Sequence, residues 1–418
     1  MKKGMIFAAC ALAVMGLSSC SQQDDQASVF IIDPVEGPAI PITGEDSPLT
    51  RSEETLVQKS NDFAFNLLRA TATNGKNLIL SPLSITYALG LLNNGATGQT
   101  QQEISQTLGY GDAGTDEIND FCKKMLVKAA AIDTTVRVLI ANNIFVNKQY
   151  ELKPAFVAKA AECYFAPVMS LDFSSPEALS TINAWADKNT EGMIDRVLNE
   201  LDPDVVSYLL NAIYFKGVWS QPFFEEATQD EPFGGMKEVP MMHQRGYFSY
   251  ADTELGQLLT MPYGLGHFQM TVLLPHEDRS VSDVLGRLNS ESWQQALDEM
   301  KYWAIDLKLP RFESDVDMDL VKVMQQLGMQ RAFTSNAEFA NFCSQSTFIG
   351  LMKQVARIKV NEKGTEAAAV TVIGMEMSAG PDAVEPEYVP FYADRPFIYV
   401  ISERTTGTVF FVGQYLKP

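Results

Sequence analysis

Asn361-Glu362-Lys363-Gly364-Thr365-Glu366-Ala367-Ala368-Ala369-Val370-Thr371 is the stretch on which the reading of this chain turns. Gly364 opens a run of small residues, and the chain alternates beyond it. The odd positions from Thr365 to Met377 are Thr365, Ala367, Ala369, Thr371, Ile373, Met375 and Met377, none of them charged. Both acids, Glu366 and Glu376, fall on even positions. Side chains of a strand alternate between faces with a period of two, so an extended form has one wholly uncharged face. That is the pattern of a strand with one face on a core. Alanine and glutamate also favour helix, and a short helix over Glu366 to Val370 is the competing reading. Gly364 before it and Gly374, Gly380 and Pro381 after it leave room for nothing longer.

The chain has 418 residues, 46% hydrophobic and 20% charged, ample for a large core in one domain or two. Its formal net charge of −20 repels phosphate backbones and no basic cluster offsets it, which argues against nucleic-acid binding. Lys2 and Lys3 precede an apolar run from Met5 to Leu17, too short to remain as a bilayer-spanning anchor, so residues 1–19 read as an export signal. Leu17-Ser18-Ser19-Cys20 resembles a bacterial lipobox, in which Cys20 becomes the acylated N-terminus. A plain secretory signal with an incidental cysteine is the alternative. Ser21-Gln22-Gln23-Asp24-Asp25 resembles the acidic tether that directs some lipoproteins to the cell surface. The expected location is therefore the outer membrane, through the N-terminal lipid alone, exposed outside or facing the periplasm.

Residues 20–50 contain no Lys or Arg and are punctuated by Pro34, Pro38, Pro41 and Pro48, which reads as an extended acidic tether. From 51 to 418 the pattern is that of a single domain, with no internal repeat and no second linker. Of the five cysteines, Cys122, Cys163 and Cys343 remain once Cys10 and Cys20 are set aside. Their spacing fits neither a disulfide framework nor a metal site, and they are expected as buried free thiols. Ser81 is expected to cap a helix with Pro82 at its first position, running to Asn93-Asn94-Gly95. Strands are expected over Val136–Val146, Leu209–Phe215, Gln269–Leu274, Tyr302–Leu309 and Ala356–Val360. Helices dominate the first third and strands the rest, an α+β arrangement.

Enzyme chemistry is hard to find. His243, His267 and His276 are scattered, and His276-Glu277 lacks the second histidine of a zinc-protease motif. There is no G-x-S-x-G elbow, C-x-x-C or phosphate-binding loop. Asp315-Val316-Asp317-Met318-Asp319 imitates a calcium loop, but Leu320 and Gln326 stand where the glycine and final glutamate are needed. It is expected as an acidic turn capping a helix near Leu320 to Leu327. No metal site and no cofactor is expected.

The opening stretch resembles the reactive-loop hinge of the serpins, and other segments resemble that family in order along some 350 residues from about Glu53 to Pro418. They are Asn77-Leu78-Ile79-Leu80-Ser81-Pro82-Leu83-Ser84-Ile85, Ile182-Asn183-Ala184-Trp185, Asn211-Ala212-Ile213-Tyr214-Phe215-Lys216-Gly217-Val218-Trp219, Leu309-Pro310-Arg311-Phe312 and Asp394-Arg395-Pro396-Phe397-Ile398-Tyr399. The resemblance implies three β-sheets with eight or nine helices and an exposed reactive loop at about 362–390. It implies no enzyme but a monomeric suicide inhibitor, which a protease cleaves and which then inserts its loop into the central sheet with the acyl-enzyme attached. Glu362, Gly364, Thr365, Glu366, Ala367, Ala368 and Ala369 correspond to the hinge. By the family's usual spacing the cleaved bond is Ser378-Ala379, with Met377-Ser378 and Met375-Glu376 as neighbouring alternatives. Ser81, Ser84, Asn211, Trp219 and Gln354 correspond to the region where the sheet opens, and Gln354 stands where many relatives carry a histidine. No Lys or Arg lies between Lys363 and Arg395, so a trypsin-type pocket finds no basic residue to pair with its buried carboxylate. Elastase-like and subtilisin-like serine proteases, or papain-like cysteine proteases, are the expected partners.

Overall fold

The structure, a computed structural model, describes residues 48–72, 75–111, 113–235, 237–365 and 386–418. The signal and tether residues up to 47, Cys20 among them, lie outside those residues, as do Glu366, Ala367, Ala368, Ala369, Met375, Met377, Ser378 and Ala379.

Nine α-helices lie among the described residues. They are α1 (Arg51–Thr71), α2 (Pro82–Gly95), α3 (Gly98–Thr107), α4 (Thr115–Ala131), α5 (Pro154–Tyr164), α6 (Pro176–Asn189), α7 (Val281–Leu285), α8 (Ser290–Asp298) and α9 (Val321–Gln326). Fifteen strands accompany them, beginning with β1 (Leu78–Leu80), β2 (Val136–Asn147), β3 (Val168–Leu171), β4 (Ser207–Val218), β5 (Gln229–Phe233), β6 (Lys237–Thr253), β7 (Gly256–Tyr263) and β8 (Phe268–Leu274). They continue as β9 (Lys301–Pro310), β10 (Phe312–Asp319), β11 (Met352–Asn361), β12 (Gly364–Thr365), β13 (Val389–Tyr392), β14 (Phe397–Glu403) and β15 (Val409–Tyr415). The architecture is the expected mixed α+β one. All five expected strands are present, each longer by one or more residues.

One sheet has six strands in the order β10-β11-β12-β4-β2-β3. The other network, of nine strands, has two limbs that share the long strand β6. In one, β6 pairs with β5 and β9, and β9 with β13; in the other, the order runs β6-β7-β8-β14-β15-β1. With the six-stranded sheet these limbs make the three expected sheets. The six-stranded sheet is covered on both faces. Leu209, Ile213 and Phe215 of β4 and Ala356, Ile358 and Val360 of β11 join the main core with α2. On the opposite face Tyr208, Leu210 and Val355 pack with Ile182 and Ala186 of α6. Both helices carry the sequence logic of their places. α2 is apolar nearly all round and is buried nearly throughout. α1 starts from a capping box between Thr50 and Glu53, and buries one stripe that includes Leu56, Phe63, Leu67 and Leu68.

Two expectations need correction. The acidic run at Asp315 is not a turn but the edge strand β10. Phe312, Ser314 and Val316 face inward, and the acids alternate outward. Its neighbour β11 supplies the cations: Arg357 reaches Glu313 at 2.9 Å and Lys353 reaches Asp317 at 2.7 Å. Opposite charges facing one another across a strand pair override the turn preference of aspartate. The second correction concerns Ser81. It sits at the start of α2 with Pro82 first in the helix, but its hydroxyl makes no capping bond. It donates instead to the Phe410 carbonyl at 2.9 Å. The three cysteines are free and buried, as expected. Among the described residues no helix is long and apolar enough to cross a membrane.

Candidate functional site: the hinge between two strands

The chain leaves β11 at Asn361 and reverses through Glu362-Lys363 into β12. Asn361 Oδ1 accepts from the Lys363 amide at 2.9 Å, which tightens the reversal. Gly364 follows at φ +147°, and a Cβ there would come within 2.1 Å of the Gly217 carbonyl. Only glycine lets the returning chain lie this close to β4. Thr365 and Gly364 then pair antiparallel with Val360 and Asn361 on one side and with Gly217 and Val218 on the other. Of the residues expected as the hinge, Gly364 and Thr365 thus form a two-residue strand already seated between β4 and β11.

The segment after β4 straps it down. The consecutive carbonyls of Asn361, Glu362 and Lys363 accept from the Trp219 indole, the Phe223 amide and the Trp219 amide, each at 2.9 Å. The Trp219 ring stacks on Tyr263, 4.3 Å between centroids and 15° apart in plane. The Tyr263 hydroxyl in turn lies 2.5 Å from Thr365 Oγ1. Glu362 turns its carboxylate inward, where only 5% of the side chain stays exposed. Arg311 at 2.5 Å and Thr228 at 2.7 Å both donate to its Oε1. Burial pushes this carboxyl up, but the bonds from Arg311 and Thr228 outweigh burial and hold it below the usual carboxylate range.

Further along, β4 and β11 pair with each other directly and in parallel, Met352 with Leu209 through Val355 with Ala212. Between this closed end and the seated hinge, residues 213–216 of β4 and 356–359 of β11 have no ladder partner in one another. The two strands fork. Gln354 lies in the closed part, wholly buried. Its amide donates to the Ser81 carbonyl at 3.0 Å and accepts from the Ser81 amide at 3.3 Å. The contact is therefore with the Ser81 backbone, the hydroxyl being committed to Phe410. Ser84 is buried in the same helix, and Asn211 stands in register with Gln354 on one side and Asn142 on the other. A carboxamide does not ionise, so no charge change can arise at position 354.

Sequence reasoning named Glu362, Gly364, Thr365, Trp219, Ser81 and Gln354, and the structure gathers them along one strand pair. It did not find the roles of Arg311, Thr228, Phe223 or Tyr263. Arg311 was visible as part of Leu309-Pro310-Arg311-Phe312, but nothing local pointed it at Glu362. Among the described residues no cluster of three or more potential ligands could hold a metal ion.

A profile of the family described as serpin (serine protease inhibitor) matches residues 58–418. An uncharacterised serpin-like protein of Thermococcus kodakarensis is 31% identical over 385 residues, 91% of this chain and 89% of that protein. Human thyroxine-binding globulin, solved in complex with its hormone, superposes with a TM-score of 0.80 at 28% identity, over 88% of this chain and 99% of that one. Tengpin, a thermophilic serpin in its native state, superposes with a TM-score of 0.81 at 25% identity, over 89% of this chain and 96% of that one. The match of the profile across the hinge, the fork and every described strand shows that this chain belongs to the serpin family of serine protease inhibitors.

Proposed function

We propose that the protein is an inhibitory serpin, which traps an endopeptidase as a covalent acyl-enzyme while its cleaved loop enters the six-stranded sheet. The observation that carries this reading is the register of the seated hinge. Continued along β4 and β11, both registers would set Ala367 between Phe215 and Ile358, Ala369 between Ile213 and Ala356, and Thr371 between Asn211 and Gln354. Asn211 and Gln354 are already partners in the closed part of the fork. The two pairings agree, so an entering strand needs β4 and β11 to part sideways by one strand spacing, about 4.8 Å, with no slide along their length. The odd positions would enter on the main-core side, where no charge is tolerated. Glu366 would enter on the other face, between Lys216 and Lys359.

The lack of Lys and Arg between Lys363 and Arg395 favours elastase-like, subtilisin-like or papain-like targets, with Ser378-Ala379 as the bond presented. The same proposal has a monomer tethered to a bacterial outer membrane through a lipid on Cys20. Incubation with one protease of each type tests the inhibitory reading. A complex that survives SDS, and a higher melting temperature for the cleaved protein, are expected. Loop cleavage that leaves every protease fully active, with no gain in melting temperature, would refute it. The likeness to thyroxine-binding globulin favours a second reading, a non-inhibitory carrier, and that same outcome would support it.

A further inference from the structure

A cavity of about 700 Å³ lies between the C-terminal end of α1, α7, the segment leading into β14 and the end of β15. It shares no lining residue with the hinge. Arg69, Arg279 and Arg395 line it, and among the described residues no acidic side chain does. The chain as a whole carries 52 acidic against 32 basic residues. A cavity with three guanidiniums and no carboxylate is a local reversal of its field.

The arginines are held in place chiefly by groups that cancel no charge. Arg69 donates to the carbonyls of Leu285 at 2.9 Å and Leu288 at 2.6 Å. Arg395 donates twice to the Pro275 carbonyl, at 3.2 and 3.1 Å, and Arg279 donates to the Glu254 carbonyl. Two carboxylates lie nearby without lining the cavity: Asp394, half exposed, pairs with Arg395 at 3.2 Å, and Asp283, whose charge Arg279 feels, is taken up by two bonds from Ser280. Planar guanidiniums fixed in this way present their remaining donors to an anion with little further ordering. Val281, Leu285 and Leu416 supply apolar surface in the same cavity, whose size falls within the range of small-molecule sites.

We propose that this cavity binds a small amphipathic anion, with its apolar body against Val281, Leu285 and Leu416 and a carboxylate, phosphate or sulfate head held by the three arginines. This stands whether or not the protein inhibits a protease. Calorimetric titration of the full chain with monomeric dodecanoate, beside dodecyltrimethylammonium and sodium sulfate, is the test. Saturable one-to-one binding of dodecanoate is expected, tighter than that of sulfate, with no binding of the cationic amphiphile. Loss of one charge-assisted contact should weaken dodecanoate roughly tenfold in Arg279→Gln and in Arg395→Gln. Arg279→Gln gives up a hydrogen bond to a single carbonyl, so it keeps the test decisive if Arg395→Gln melts early. Absence of dodecanoate binding, equal binding of the cation, equal binding of sulfate, or unchanged affinity in Arg279→Gln would each overturn the proposal. So would binding confined to phosphatidylglycerol vesicles, which would assign the arginines to a membrane surface.

Discussion

At the hinge end, β4 and β11 are spread around Gly364 and Thr365 and fastened by many groups: three strap hydrogen bonds, a stacked indole, a tyrosine hydroxyl and an ion pair whose carboxylate is buried. At the far end the same two strands touch directly over four register pairs, with the Gln354 amide bonded to Ser81 beneath them. One end is committed to the arrangement that an inserted strand needs; the other is committed to its absence. The contrast locates the barrier. On the proposed reading, a strand entering from Thr365 would find its first partners already made and would have to break only the short parallel ladder ahead of it. On the proposed inhibitory reading, residues that stop entry should therefore act at the hinge, and residues that set how readily the sheet opens unaided should act at Gln354.

The largest expected effect is at Thr365. Its side chain is 1% exposed and faces the main core beside Tyr263. Thr365→Glu puts an unpaired carboxylate there, at a cost of several kcal/mol. The charge should unseat the hinge, so that entry must begin from an unpaired strand and the loop would be cut faster than it enters. Gel analysis should show cleaved inhibitor and active protease in place of the SDS-resistant complex, with the inhibitor consumed per protease trapped rising at least tenfold. Undiminished complex would mean that entry does not need the seated hinge, and the contrast between the two ends would lose its meaning.

Gln354→Ala should act in the opposite sense and less strongly. It leaves the Ser81 amide without its partner in a wholly buried place and takes one of two donors from the Ser81 carbonyl, which keeps the Ile85 amide, a loss of about 1–3 kcal/mol from the uncleaved form. Urea midpoints measured on uncleaved and cleaved protein separate the outcomes. The uncleaved form should fall by more than the cleaved one, and loop entry without cleavage should quicken on warming. An equal fall in both forms would show that the Gln354–Ser81 contact does not distinguish closed from open sheet.

Much of this was legible in the chain itself, and the misses have physical causes. The strands over Leu209–Phe215 and Ala356–Val360 could be read because both their faces are constrained, one by the main core and one by α6 or solvent. Of the uncharged odd positions after Gly364, Thr365 lies on the core side, and the others lie outside the described residues. Asp315 to Asp319 was misread because aspartate favours turns, although its alternation with Val316 and Met318 had a strand's period. What overrode the preference was a row of cations on β11, some 40 residues away in sequence. Ser81 takes the expected N-cap place before Pro82, but its hydroxyl is drawn to a partner 329 residues on, outside the reach of any local rule. The Arg311–Glu362 pair joins residues 51 apart, and a single sequence holds no sign of which arginine meets which carboxylate.

That pair supplies the smallest effect, and its sign can be worked out. Glu362 has its carboxyl held below the ordinary value of 4.5, because hydrogen bonds from Arg311 and Thr228 outweigh its burial. A carboxyl whose folded value is depressed lends stability that is fully present above its unfolded value and is lost as pH falls through the folded one. The hinge end should therefore loosen below pH 4.5, while Gln354, with no proton to gain, leaves the far end indifferent. Glu362→Gln removes the titrating group but keeps an acceptor for Arg311 and Thr228. Its urea midpoint should lie below that of the unmodified protein at neutral pH, and the two should converge in acid. Hydrogen exchange gives the spatial check, since in acid the Thr365 amide should lose protection before those of Leu210 and Val355. A gap between the two proteins that stayed constant across pH, or protection lost at both ends together, would show that the ion pair does not fasten the hinge end independently of the closed ladder.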